Sequence, residues 1–267
     1  MTKTIRVALS GSGFLLPAHV GALHAIADAG YEPIEMAATS GGSIVASLAC
    51  SGMPLDVMKD LAMTFDWSPM MSLSPWSALR LRGYCSGDKL LHFLHTKTHQ
   101  LTFHNLVADL KIMASDIATK EPFVFSKATT PEIKIGTAAR ASAAIPLIYE
   151  PVILGDLILF DGGMVANMPA DLLTPGDVPR IGIDLVSDAS FMPPSKYSLL
   201  KALPRFIDML MDSGEAAEIG KSELLGTRII QVPTGFASSL DKKMALGTRE
   251  RLFRVGYEAT ASAILLA

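Results

Sequence analysis

Charge is scarce in this chain. Only 18% of its 267 residues are Asp, Glu, Lys or Arg, 23 basic against 26 acidic, for a net charge of −3. The absence of a basic excess or stripe argues against a nucleic-acid binder. Aromatic residues are also few, at 7%, yet 49% of the residues are hydrophobic, which excludes disorder and requires a substantial packed core. The two cysteines, Cys50 and Cys85, are too few for a disulfide framework and belong to no metal-ligand cluster, so a reducing compartment is expected. The start of the chain has no small-residue cleavage site. The two long uncharged runs, Val7 to Ala27 and Met36 to Leu55, are broken by glycines, serines and a proline. These absences predict a soluble, cytoplasmic protein whose membrane contact is at most peripheral.

The first 50 residues alternate strand and helix signals. Ile5 to Ser10 reads as a buried strand and Pro17 to Ala29 as a helix, with Pro17 suited to its first position and Gly30 to the residue past its end. Ile34 to Thr39 reads as a second strand and Ser43 to Cys50 as a second helix. This order predicts an α/β fold with a central, mostly parallel sheet flanked by helices. Further strands are expected within Asp109 to Ala118, Phe123 to Ser126 and Arg180 to Val186, with a hairpin turning at Gly155-Asp156. An apolar stripe from Leu199 to Met211 has helical spacing, and the tail from Lys242 reads as helix. No repeat or composition shift divides the chain, so residues 1–267 are expected to form one domain, with a core at about 4–190 and a helical part at about 196–267.

Ala38-Thr39-Ser40-Gly41-Gly42 lies between a predicted strand and a predicted helix. A serine on such a tight turn is held with its hydroxyl exposed, beside helix amides that favour developing negative charge. An ordinary helix cap explains Ser40 equally well, because the first glycine of G-x-S-x-G is alanine here. The histidines rule out one partner for it. All six lie at or before His104, so the chain order serine, acid, histidine is not available. Each of them, His19 and His24 included, reads as a surface or locally bonded residue.

A carboxylate is the obvious substitute base. Asp161-Gly162-Gly163 follows the hairpin strand, and a desolvated aspartate bonded to a serine hydroxyl can take its proton. Without Ser40 the same residues read as a plain turn. Asp156, in the hairpin turn, is a weaker candidate. Gly11-Ser12-Gly13, after the first strand, lets successive backbone amides converge on an anion. A dinucleotide-binding turn competes, with Glu35 imitating the ribose acid, but its third glycine is replaced by Leu16.

Three motifs in chain order resemble those of the patatin-like phospholipases, serine–aspartate lipid acyl hydrolases. Ser10-Gly11-Ser12-Gly13 resembles the oxyanion loop, Ala38-Thr39-Ser40-Gly41-Gly42 the nucleophile elbow and Asp161-Gly162-Gly163 the catalytic acid turn. Arg140 to Pro146 and Asn167-Met168-Pro169 also resemble family segments. Two departures stand out: Leu15 replaces the loop's usual basic residue, and Ala38 replaces a glycine.

The resemblance implies a three-layer fold, a Ser40–Asp161 dyad forming an acyl-enzyme on fatty-acyl esters, and an oxyanion hole drawn from Gly11, Ser12, Gly13 and Gly41. It implies no cofactor or metal; the expected partner is a lipid ester, with transient contact to a membrane surface. An esterase or thioesterase on the same dyad is the nearest alternative, and a non-catalytic lipid- or nucleotide-binding module the more distant one. Phe65 to Trp76 and the stripe at 199–211 can touch lipid, although packed cover is the better reading of both. Lys242, Lys243, Arg249, Arg251 and Arg254 read as a solvated helix face or an attraction for anionic headgroups.

Overall fold

The computed structural model describes residues 2–75, 79, 83–186, 193–196, 198, 202, 205–206, 209 and 214–265. Five strands run parallel in the order β3 (Asp109–Asp116), β2 (Tyr31–Thr39), β1 (Lys3–Leu9), β7 (Arg180–Val186) and β8 (Arg228–Pro233). An antiparallel group, β4 (Glu121–Phe125), β5 (Val152–Leu154) and β6 (Leu157–Asp161), completes one eight-stranded sheet. The expected central sheet flanked by helices is therefore present.

Alternation along the strands builds two cores. Val7, Leu9, Met36 and Ala38 point into the larger one, beneath α1 (Leu16–Asp28), α2 (Ser40–Cys50) and α3 (Leu55–Thr64). Ala8 and Ala37 point the other way, into a thin layer with Met168, Ala170 and Leu173. Ile219 of α6 (Glu215–Leu224) packs on that second layer. The remaining α-helices among the described residues are α4 (Asp88–Lys97), α5 (Ile135–Ser142) and α7 (Leu246–Leu265). Along α1, Phe253 of α7 meets His24 edge-on and Tyr257 donates to Asp28 at 2.9 Å.

Two features of the sheet position the site. The order in which strands are added reverses at β1, with β2 and β3 on one side and β7 and β8 on the other, so the loop after β1 stands at a topological switch point. The second feature lies on one edge of β3. Thr39, the last residue of β2, pairs with Met113, and Asp161, the last of β6, pairs with Ala114. Because β4 holds the opposite edge of Met113 and Ala114, β2 and β6 share the same edge end to end.

Several expectations shift. α2 begins at Ser40, three residues early, and α7 begins at Leu246 instead of Lys242. The stripe at 199–211 lies largely outside the described residues, as does Trp76. Trp67 is buried against Phe14, Phe65 and Phe93. The basic cluster is not one solvated face. Arg249 is buried and donates to the carbonyls of Ala62, Met63 and Phe65 at 3.3, 3.2 and 2.8 Å, capping the end of α3. Arg251 stacks on the Phe236 ring.

Candidate active site

Ser40 opens α2 with φ at +49°, in the left-handed region where a non-glycine residue is strained. Its backbone is tied on both sides. The Ser40 amide donates to Ser142 Oγ at 2.8 Å, and Ser43 Oγ donates to the Ser40 carbonyl at 2.6 Å. Thr39 Oγ1 donates to the Ala166 carbonyl at 2.8 Å. The strained turn thus fixes where the side chain points.

It points at Asp161. Ser40 Oγ donates to Asp161 Oδ2 at 2.7 Å, and the Gly163 amide donates to Oδ1 at 2.9 Å. The Asp161 backbone is anchored to Ala144 and Ser115. Asp161 is fully buried, and burial pushes its carboxyl up to about 7, against the opposing pull of the Gly163 amide and the Ser40 hydroxyl. A base tuned to that range accepts a hydroxyl proton far better than an ordinary carboxylate.

No histidine hydrogen-bonds to either residue. His19 is buried beneath the first loop and donates from Nε2 to the Ser10 carbonyl at 2.9 Å, and burial lowers its pKa to about 4, so it is neutral. His24 bonds the Leu55 carbonyl and His95 bonds Thr137. Asp156 sits exposed in the hairpin turn. Glu35 is no ribose acid: it is buried in ion pairs with Arg6 at 2.7 Å and Lys111 at 2.6 Å.

The loop after β1 lies over the start of α2. A Cβ at Gly41 would overlap Ser12 Oγ and the Gly13 carbonyl, so only glycine permits this contact. The amides of Ser12 and Gly13 have no partner among the described residues, and Gly41 lies in the first helical turn, where intrahelical acceptors are missing. Gly11 differs from its expected role. Its amide donates to the Asn167 carbonyl at 3.0 Å and is therefore occupied. What Gly11 provides is space, because a Cβ there would overlap Asn167 Oδ1.

A narrow cavity of about 30 Å³ opens beside Ser40, with Phe14, Trp67, Met70, Ile145 and Tyr149 in its wall and no charged side chain among its lining residues. Leu15, at the position of the absent basic residue, is buried in the core. Arg140 braces the wall: it donates to the Ser86, Gly87 and Glu150 carbonyls and stacks on Tyr149. A larger cavity of about 590 Å³ lies at the other end of β2, lined by Tyr31 to Ile34, Met36 and Cys50 to Met53, away from these groups.

Ser142, Ala144 and Asn167, which support these backbones, all fall in the two flanking segments that resemble the family, Arg140 to Pro146 and Asn167 to Pro169. Arg249 and the α6 carboxylates gave no local signal.

Comparison with known proteins defines a class, the lipid hydrolases of α/β architecture. Residues 7–174 match the family model described as "Patatin-like phospholipase". The chain belongs to the patatin-like phospholipase family. An uncharacterised protein of Acanthamoeba polyphaga mimivirus is 28% identical over 97% of this chain and 93% of its own length. An uncharacterised NTE family protein of Mycobacterium tuberculosis is 26% identical over 74% of this chain, which spans only 33% of that relative. Among solved structures, VipD from Legionella pneumophila has a TM-score of 0.63 at 16% identity, over 98% of this chain and 66% of that one. The type III effector ExoU has a TM-score of 0.57 at 14% identity, over 98% of this chain and 53% of that one. At these identities the structural likeness establishes the fold. No helix among the described residues is long and apolar enough to cross a membrane.

Proposed function

We propose that this chain hydrolyses fatty-acyl esters of lipids, with Ser40 as nucleophile and Asp161 as its only general base. The observation that carries the reading is the 2.7 Å hydrogen bond from Ser40 Oγ to the buried Asp161 carboxylate, with no imidazole bonded to either residue.

In the first half-reaction Ser40 Oγ attacks the ester carbonyl carbon as its proton passes to Asp161 Oδ2. The tetrahedral oxyanion is held by amides of the Ser12–Gly13 loop and of Gly41. Collapse breaks the carbon–oxygen bond to the alcohol, which leaves with the proton from Asp161. A water then gives its proton to Asp161 as its oxygen attacks the acyl-serine. The second tetrahedral species expels Ser40, which recovers the proton, and the fatty acid departs. The strained turn at Ser40 and the hydrogen bonds to its backbone hold the nucleophile in one geometry, so little reorganisation is needed at each attack.

A second reading is an esterase or thioesterase using the same two side chains on short acyl groups. It is favoured by the small, uncharged cavity beside Ser40. A hydrolysis panel of phospholipids, galactolipids, acylglycerols and short nitrophenyl esters tests both, run on the wild type and on Ser40→Ala. Ser40-dependent release of long-chain fatty acid, with membrane-presented substrate preferred, supports the lipid hydrolase. Ser40-dependent cleavage restricted to short esters supports the second reading. No Ser40-dependent cleavage of any member points to a non-catalytic binding module.

A further inference from the structure

The loop over the start of α2 is held from outside the segment that matches the family model. Asn167 accepts the Gly11 amide at its carbonyl, at 3.0 Å. Its side-chain Nδ2 donates to Glu215 Oε1 at 2.6 Å, and the next amide, Met168, donates to Glu218 Oε2 at 3.0 Å. Glu215 and Glu218 are three apart on α6 and so share one helix face. A carboxylate can only accept, so Glu215 fixes which way the Asn167 amide faces: nitrogen toward α6, oxygen toward Gly11. That oxygen fills the space left by the missing Gly11 side chain.

We infer that Glu215 and Glu218 are positioning residues of the hydrolytic site: by holding Asn167 and Met168 they fix the amide of Gly11 and, through it, the Ser12–Gly13 amides that receive the oxyanion. As a role in catalysis, this rests on the function proposed above. The physical logic is that unpaired amides are held only as firmly as the contacts that flank them: Ser10, at the strand end, is fixed by Ile183, Leu185 and His19, and the residues beyond it depend on what holds them from either side. Of the loop's contacts, the Phe14 amide donates to the Ser239 carbonyl at 2.7 Å on one side, and the Gly11–Asn167 bond secures the other. Releasing Asn167 leaves Ser40 and Asp161 in contact but lets the amides drift. Loss of a single oxyanion donor typically costs about 100–1000-fold in turnover, so a loosened pair should cost about 10–100-fold.

The test uses the full chain and a soluble nitrophenyl ester. Glu215→Ala is expected to lower kcat by about 10–100-fold with KM within about threefold, because the interaction acts on the transition state rather than on ground-state binding. Glu215→Gln keeps an acceptor oxygen and should stay within about threefold of wild type. Asn167→Asp sets two carboxylates against each other and should lose turnover, and adding Glu215→Gln should restore most of it. Hydrogen exchange provides a readout independent of catalysis: the Gly11 amide should exchange faster in Glu215→Ala and at the wild-type rate in Glu215→Gln. Wild-type kcat in Glu215→Ala, or a Gly11 amide exchanging at an unchanged rate, overturns the proposal. If Glu215→Ala does not fold, the Asn167→Asp pair decides: an unchanged kcat in Asn167→Asp, or no recovery on adding Glu215→Gln, overturns it. Should hydrolysis survive Ser40→Ala, the catalytic reading fails by itself, and Gly11 exchange still judges the clamp.

Discussion

Asp161 takes up one edge of β3 at the residue immediately after the one where Thr39 leaves it. Thr39 pairs with Met113 and Asp161 with Ala114, so β2 turns away into Ser40 as the end of β6 arrives beside it. Strand register thereby brings together two positions 121 residues apart, and the strained turn at Ser40 completes the 2.7 Å contact. The contact needs no third side chain between them, which is the geometry the proposed dyad requires.

The pH dependence follows from the buried carboxyl. Asp161 must be ionised to accept a proton, and burial raises its pKa to about 7. Turnover should therefore rise about tenfold per pH unit on the acid side and level off above about 7. A pH–rate profile on a soluble ester checks this. A midpoint near 4 would mean that the base is a different, solvated carboxylate.

The same shift has a cost in stability. A carboxyl whose pKa is higher folded than unfolded stabilises the fold at low pH, and that contribution is lost as pH rises from about 4 through about 7. Asp161→Asn, which never ionises, should melt on the order of 5 °C above wild type at pH 8, with the difference vanishing near pH 4. Thermal melts at the two pH values measure it.

Gly41→Ala is expected to reduce turnover by about 100–1000-fold while the circular dichroism spectrum is retained. The added methyl meets Ser12 Oγ and the Gly13 carbonyl, so the loop must lift away from the start of α2. Steady-state kinetics on the folded variant provide the check.

Trp67→Ala should shift the acyl-length preference toward longer chains. Trp67 forms part of the wall of the 30 Å³ cavity and packs on Phe14, Phe65 and Phe93, so its removal opens space beside Ser40. A stability cost of about 3–5 kcal/mol accompanies the loss of a buried indole. A nitrophenyl ester series from short to long acyl groups reads the shift.

Local signals made much of this legible. The glycines around Ser12 and Ser40, the small residues before α2 and the hairpin ending at Asp161 each state a backbone requirement within a few residues. The exclusion of histidine rested on chain order alone. What stayed hidden depends on long-range contacts: Arg249 capping α3, Ser142 accepting the Ser40 amide, and Glu215 reaching Asn167 across 48 positions. An isolated Arg or Glu on a helix reads as a solvated charge, because nothing nearby in sequence records the carbonyl or amide waiting across the fold. Gly11 illustrates the same limit. A glycine there signals a backbone need, but whether that need is an amide for an oxyanion or room for Asn167 is decided only by what packs against it.

The most direct test of the dyad is the rate of labelling by a fluorophosphonate, with the modified residue located by mass spectrometry. Wild type is expected to be labelled on Ser40, and folded Asp161→Asn at least about 100-fold more slowly. Modification of another residue, or undiminished labelling of Ser40 in Asp161→Asn, contradicts the dyad.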